Sequence, residues 1–220
     1  MKKPAIKLLV FDWDGTLADS ASVIVNAMQA AIAELLFEPR SDQDIRNVIG
    51  LGLIEAVGVL YPELDNADLE SLAGNYRTKY VLFNKDKTRL FPKTRETLEN
   101  LREQKYQLAI ATGKSRKGLN NSLRETGVEK FFHISRCADE TFSKPHPQML
   151  LDIMENQVVG PENTLMIGDS EYDLQMAANA EVKSIAVSYG TQSRERLLEY
   201  KPETCLDHIN DLVKWLSTYQ

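Results

Sequence analysis

The sequence predicts an α/β fold: a doubly wound, Rossmann-like parallel sheet with an inserted α-helical domain after its first strand. Three observations predict it. Short apolar runs at Leu8–Phe11, Leu108–Ala111, Leu165–Ile167 and Ser184–Val187 have the uniform hydrophobicity of strands covered on both faces. Helical patterns alternate with these runs, which implies right-handed crossovers between parallel strands. The alternation fails over one stretch, from Ala18 to about Lys85, where every periodic segment reads as helix.

The elements follow in order. Leu8–Phe11 ends in Asp12-Trp13-Asp14-Gly15-Thr16-Leu17. Ile24, Ala27, Met28, Ala31 and Leu35 then recur at helical spacing, and residues 43–48, 53–60 and 67–82 also read as helix. Pro39, Gly50-Leu51-Gly52 and Pro62 punctuate them. Helices are predicted at Thr94–Glu103, Arg116–Thr126, Pro147–Glu155, Glu171–Ala180, Ser193–Tyr200 and Ile209–Tyr219. Two weaker strands are expected near Phe132–Ser135 and Thr204–Leu206. The expected division is a core of residues 1–17 and 86–220 and a helical domain of residues 18–85.

Composition narrows the class of function. A chain of 220 residues can bury one large or two modest cores. Hydrophobic residues at 43% and charged residues at 26% are ordinary for a soluble domain. The net charge of -6 argues against a nucleic-acid groove, which needs clustered positive charge. Lys85–Arg89 and Lys114–Lys117 are the local basic stretches. Cys137 and Cys205 fit neither a disulfide scaffold nor a zinc spacing and read as reduced thiols. No segment approaches the roughly 20 apolar residues of a membrane span. The run from Ile6 to Phe11 is too short for a signal peptide. A cytoplasmic protein with no nucleic-acid or membrane partner is expected; the sequence carries no reading of its oligomeric state.

The chemistry gathers at strand ends. Asp12 and Asp14 close the first strand, Thr112-Gly113-Lys114 the second, and Gly168-Asp169-Ser170-Glu171-Tyr172-Asp173 the strand at Leu165; Lys144 opens Lys-Pro-His-Pro before a helix. Carboxyl ends of parallel strands converge on one edge, where such sheets place their ligands. Clustered carboxylates repel a phosphate unless a hard cation lies between them. Mg²⁺ takes one or two carboxylates together with waters and substrate phosphate, and Asp12 and Asp169 suit it. The Thr112 hydroxyl, free amides near Gly113 and the Lys144 charge suit phosphate oxygens. This inventory fits phosphoryl transfer to an aspartate.

Asp-x-Asp-Gly-Thr, Ala-Thr-Gly, Lys-Pro and Gly-Asp-x-x-x-Asp, in this order, resemble the motifs of the haloacid dehalogenase superfamily of phosphatases. The resemblance spans nearly the whole chain. The helical insertion is similar to the cap of the phosphoglycolate-phosphatase-like branch, as are Ile49-Gly50-Leu51-Gly52 and Ser143-Lys144-Pro145-His146-Pro147. The resemblance implies Asp12 as nucleophile and Asp14 as acid and base. It implies Mg²⁺ held by the Asp12 and Asp169 side chains and the Asp14 carbonyl, and a phosphoryl group held by Thr112, the Gly113 amide and Lys144. Thr16 reads as a supporting residue. Asp173 reads as a cap on the helix starting at Ser170, as a partner for Lys144 or metal-bound water, or both. Two departures stand out: Gly113 replaces the frequent Asn, and Phe91-Pro92-Lys93-Thr94 replaces Tyr-Pro-Gly-Val.

Other residues read as structural. His133, His146 and His208 have no metal-ligand spacing. Tyr76, Tyr80 and Phe83 read as packing within the helical insertion, and Lys114 either steers an anionic substrate or faces water. The expected activity is hydrolysis of a small phosphomonoester, phosphoglycolate being the first substrate the resemblance suggests. The alternatives are a phosphomutase of the beta-phosphoglucomutase type and a non-enzymatic phosphoaspartate receiver. A receiver carries its phosphorylated Asp later in the sheet and lacks the large insertion.

Overall fold

A computed structural model describes residues 5–84 and 88–219. Most of the basic stretch at Lys85–Arg89 and the expected domain boundary at residue 85 lie outside the described residues. Six parallel strands form one sheet: β1 (Leu8–Phe11), β2 (Gln107–Thr112), β3 (Ile134–Cys137), β4 (Thr164–Gly168), β5 (Lys183–Val187) and β6 (Cys205–Leu206). Their order is β3-β2-β1-β4-β5-β6. β1 is central, with Leu9 opposite both Leu108 and Leu165. The winding direction reverses at β1, which puts a crevice beyond the carboxyl ends of β1, β2 and β4.

Side chains of a strand alternate between faces, and the sheet accordingly has two cores. Leu9, Phe11, Ile110, Leu165 and Ile167 pack with helices α5 (Thr94–Glu103), α6 (Arg116–Thr126) and α10 (Asp211–Tyr219) through Leu98, Leu119 and Leu212. Leu8, Val10, Ala109 and Met166 pack on the other face with α7 (Gln148–Gln157) and α8 (Glu171–Asn179) through Met149, Ile153 and Met176. The short α9 (Arg194–Leu198) packs on β5 through Leu197 against Ala186.

Between β1 and α5 lie α1 (Ala21–Glu34), α2 (Asp42–Asn47), α3 (Leu53–Leu60) and α4 (Asn66–Phe83). They build a separate apolar cluster from Val25, Met28, Ile32, Ile45, Val57 and Leu72. Local chemistry fixes the starts of α2 and α4. Ser41 and Asp44 form a reciprocal capping box, and Asp65 accepts the Asp68 amide at 3.0 Å. The outgoing and returning chains run side by side: the Asp19 amide donates to the Arg89 carbonyl at 2.9 Å and the Phe91 amide to Leu17 at 3.0 Å.

Strand and helix predictions match these elements apart from short shifts at the ends. β3 starts two residues late, because the Phe132 amide closes a turn on the Glu129 carbonyl at 3.1 Å instead of joining the ladder. The helix expected at Ser193 begins at Arg194 with Ser193 as its cap. The last helix begins at Asp211, after turns that close on the His208 and Ile209 carbonyls.

Candidate active site

Asp12 is the last rung of the β1 ladder, its amide donating to the Ile167 carbonyl at 2.9 Å. The chain then turns sharply. Trp13 is fully buried and its carbonyl accepts from Leu17 and Ala18, which anchors the loop. Gly15 has φ +90°, and a Cβ there would lie 2.2 Å from Asp169 Oδ2. Only glycine satisfies both demands.

Asp12, Asp169 and Asp173 come together, each at most 1% exposed, with carboxylate oxygens within 4.8 Å of one another. Lys144 lies among them and donates to Asp12 Oδ1 at 2.7 Å and Asp173 Oδ1 at 2.6 Å. Asp173 Oδ2 accepts the Ser170 amide at 3.1 Å and hydroxyl at 2.7 Å, so capping and holding Lys144 are simultaneous roles. Asp169 is fixed by Thr16 Oγ1 at 2.8 Å and by the Thr191 amide and hydroxyl at 2.8 and 2.7 Å. Asp12 Oδ2 is buried and, among the described residues, has no hydrogen-bond partner.

The charges do not balance. Burial pushes the Asp12 carboxyl well above its ordinary range; Lys144 opposes this, while Asp173 and Asp169 add to it. Burial and then Asp173 push Asp169 up to about 6, against its threonine hydrogen bonds. Burial works against the Lys144 charge, but Asp12 and Asp173 more than restore it. Three acids around one ammonium, with a bare carboxylate oxygen among them, suit a hard divalent cation.

Asp14 stands apart from this group. Its Oδ1 accepts from Ser20 Oγ at 2.6 Å, and Lys114 Nζ lies 3.0 and 3.1 Å from its two oxygens. Lys114 also donates to the Tyr80 hydroxyl at 3.1 Å. Lys114 therefore does not face water, and Tyr80 is more than packing: the two join α4 to the site. Phe83 is not packed inside the insertion but 47% exposed. His146 packs against Phe142 with ring centroids 4.4 Å apart and planes tilted by 31°, a loop-packing role as read.

The loop between α2 and α3 presses onto the same edge. A Cβ on Gly113 would meet the Leu51 and Gly50 carbonyl oxygens at 2.2 and 2.5 Å, which explains why no larger side chain stands there. The Gly52 amide donates to Ser143 Oγ at 2.7 Å. The resulting cavity of about 530 Å³ is lined by Asp12, Asp14, Thr112, Gly113 and Lys114 from the sheet edge and by Met28, Tyr76 and Tyr80 from the helices. Another cavity, of about 580 Å³, opens at the opposite edge between Lys7, Tyr106 and Val158 and holds none of these acids.

All eight residues singled out in the sequence thus lie at this edge. Thr191, Ser20 and the roles of Lys114 and Tyr80 were missed. A Gly-Thr pair soon after β5 was the available signal for Thr191; nothing in the spacing pointed to Tyr80.

The fold and the site define a hydrolase built around a buried aspartate, a lysine and a carboxylate cluster. The sequence model of the haloacid dehalogenase-like hydrolases matches residues 9–187, and the chain belongs to that family of enzymes. Pyrophosphatase PpaX of Bacillus mycoides is 28% identical over 213 residues, which are 96% of this chain and 97% of the relative. A solved structure described as a predicted phosphoglycolate phosphatase of Haemophilus somnus is 25% identical, with TM-score 0.86 over 96% of this chain and 97% of the other. A hydrolase from Pseudomonas syringae, 22% identical, shares the fold with TM-score 0.89 over 98% and 99% of the two chains.

Proposed function

We propose that the protein is a Mg²⁺-dependent phosphatase that hydrolyses a small phosphate ester through a phosphorylated Asp12. The observation that carries this reading is the bare Asp12 Oδ2 beside Lys144 at the edge of the cavity. Asp12 attacks phosphorus while Asp14 gives a proton to the leaving oxygen. Asp14 then takes a proton from water, whose oxygen attacks the phosphorus and releases Asp12 and inorganic phosphate. The Thr112 hydroxyl, the Gly113 amide and Lys144 hold the transferring group. Mg²⁺, held by Asp12 and Asp169 with the Asp14 carbonyl, supplies the positive charge that lets a phosphate approach the acids. Thr16 and Thr191 orient Asp169, and Asp173 orients Lys144.

In the same reading residues 1–17 and 86–220 are the catalytic core and residues 18–85 a cap that shields the reaction from water. Phosphoglycolate is the first substrate to test, in line with the description of the Haemophilus structure. Pyrophosphate, from the name of the Bacillus relative, is the second. A phosphomutase would return the phosphoryl group to a sugar. The Bacteroides vulgatus structure named for beta-phosphoglucomutase is 18% identical and shares only the fold. Among the described residues no helix is long and apolar enough to cross a membrane.

The test is phosphate release from phosphoglycolate, pyrophosphate, p-nitrophenyl phosphate and a wider phosphometabolite panel, with Mg²⁺ and with EDTA, using Asp12→Asn as control. Release that needs Mg²⁺ and Asp12 supports the reading. No release from any substrate rejects it. Isomerised hexose phosphate without release favours the mutase, and a long-lived phosphoprotein after acetyl phosphate favours the receiver.

A further inference from the structure

We propose that the substrate is a phosphate monoester of an uncharged, largely apolar alcohol, whose carbon skeleton fills the cavity between the helical insertion and the sheet edge. The proposal rests on the phosphatase reading of the same site. Its basis is the lining of that cavity. Met28 of α1, Ile45 of α2, Val48 and Ile49 of the loop that follows, and Tyr76 and Tyr80 of α4 line it from the helical side. Glu55, Arg77 and Asn84 are the polar exceptions on that side among the described residues. The volume of about 530 Å³ has room for more than the phosphoryl group. It falls within the roughly 300–1,000 Å³ of small-molecule sites, whose linings are mostly apolar with a few placed polar groups.

A second anionic group on the substrate would need a cation, and the nearby cations are committed or solvated. Lys144 is held between Asp12 and Asp173 and serves the phosphoryl group in this reading. Lys114 Nζ lies 3.0 and 3.1 Å from the two Asp14 oxygens and 3.1 Å from the Tyr80 hydroxyl. An ammonium has three donors, and these three partners take them all. Arg77 is 57% exposed and lies 3.8 Å from Glu70. Lys117 of α6 is exposed and shares the lining with Glu125 and Asp139. Exposed charges of this kind hold an anion weakly.

The two chemistries therefore fare differently in the cavity. A carboxylate there exchanges water for uncharged side chains, which disfavours it. A carbon skeleton gains by the same exchange. The rings of Tyr76 and Tyr80, with centroids 5.9 Å apart and planes tilted by 43°, add aromatic surface. Burial pushes the Tyr76 phenol above its ordinary range, so it stays a neutral donor, suited to a hydroxyl or ether oxygen. Phosphoglycolate carries a carboxylate on the carbon that bears its ester oxygen. The leaving group of pyrophosphate is itself a phosphate. Neither matches this lining.

Isobutyl phosphate tests this, because it replaces the carboxylate of phosphoglycolate by two methyl groups at nearly the same shape. Phosphate release with Mg²⁺ gives kcat/KM for each substrate. Wild-type kcat/KM should be about tenfold or more higher for isobutyl phosphate than for phosphoglycolate or pyrophosphate, and higher again for benzyl phosphate, since one methylene in an apolar pocket is worth 10–200-fold. Phosphoglycolate or pyrophosphate turned over as well as isobutyl phosphate, or better, overturns the proposal and leaves the phosphatase reading standing. No release from any substrate is a separate result, which rejects that reading and the proposal with it. Ile24, half-buried on α1, also lines the cavity. Ile24→Lys should shift the ratio of the two kcat/KM values toward phosphoglycolate by about tenfold, the worth of one charge-assisted hydrogen bond. An unchanged ratio in the folded variant overturns the proposal. Where that variant fails to fold, inhibition of the wild type decides. Benzylphosphonate should inhibit at about tenfold lower concentration than phosphonoacetate, which carries a carboxylate; equal or reversed potency overturns the proposal.

Discussion

Burial and two neighbouring acids work against the charge on Asp12, with only Lys144 in its favour. Asp12→Asn is therefore expected to abolish phosphate release and yet to raise the thermal midpoint of the metal-free protein. A catalytic group kept at a cost to the fold behaves this way. Activity assays and thermal unfolding in EDTA check the two halves; a lower midpoint would show that Asp12 stabilises the site through Lys144. Asp169 gives a pH test in the same buffer. Its folded value of about 6 lies above the ordinary 3.8, so the native state binds this proton more tightly than the unfolded chain. Its contribution is fully present below pH 3.8 and is lost as pH rises toward about 6. Asp169→Asn should therefore gain stability relative to the metal-free wild type as pH rises across that window, whatever the other carboxylates add to both proteins. The residue types were legible because acids, a threonine and a lysine end apolar runs. The partners were not: Thr191 reaches Asp169 from 22 residues away, through the register of β4 and β5.

At the level of elements, the two departures from the family pattern have steric consequences. Gly113 lies beneath the loop between α2 and α3, and a Cβ there would sit 2.2 Å from the Leu51 carbonyl oxygen. Gly113→Ala must push that loop off the sheet edge. At least a tenfold fall in kcat/KM is expected, since a misplacement of about 1 Å can cost 10²-fold; an unchanged far-ultraviolet circular dichroism spectrum would show that the fold survives. Lys93, the residue before α5, has φ 66°, a left-handed backbone that glycine adopts without strain. Lys93→Gly should relieve that strain, less the entropy that glycine adds to the unfolded chain, for a gain of up to about 1 kcal/mol. A denaturant midpoint that does not move would reject this. Helix and strand periods were plain in the sequence, and α5 and α6 match their predicted bounds. Ends were less plain where turns compete with the ladder, as at Phe132. The role of Gly113 was hidden because it depends on a contact between segments more than 60 residues apart.

For the whole molecule, alternation of strands and helices was enough to foresee a doubly wound sheet, but the position of β1 at its centre is a property of the assembled chain. That position places Asp12 at the end of β1 and Asp169 just past β4, the adjacent strand. The two acids come from opposite ends of the sequence, and mutual repulsion opposes their approach. A cation shared between them should therefore stabilise the fold as well as the reaction. A ligand that binds only the native state adds about 2.7 kcal/mol at a hundredfold excess over its Kd. In a chain of this size each kcal/mol moves Tm by about 2–4 °C, so saturating Mg²⁺ should raise Tm by roughly 5–10 °C. Asp169→Asn should lose most of that rise, because it removes one of the two carboxylates, whereas Lys93→Gly, on the loop before α5, should keep it. Thermal scans with and without Mg²⁺ on these three proteins separate a specific site from a general salt effect. Equal shifts in all three would mean that Mg²⁺ acts on surface charge, and no shift in any would reject the cation site.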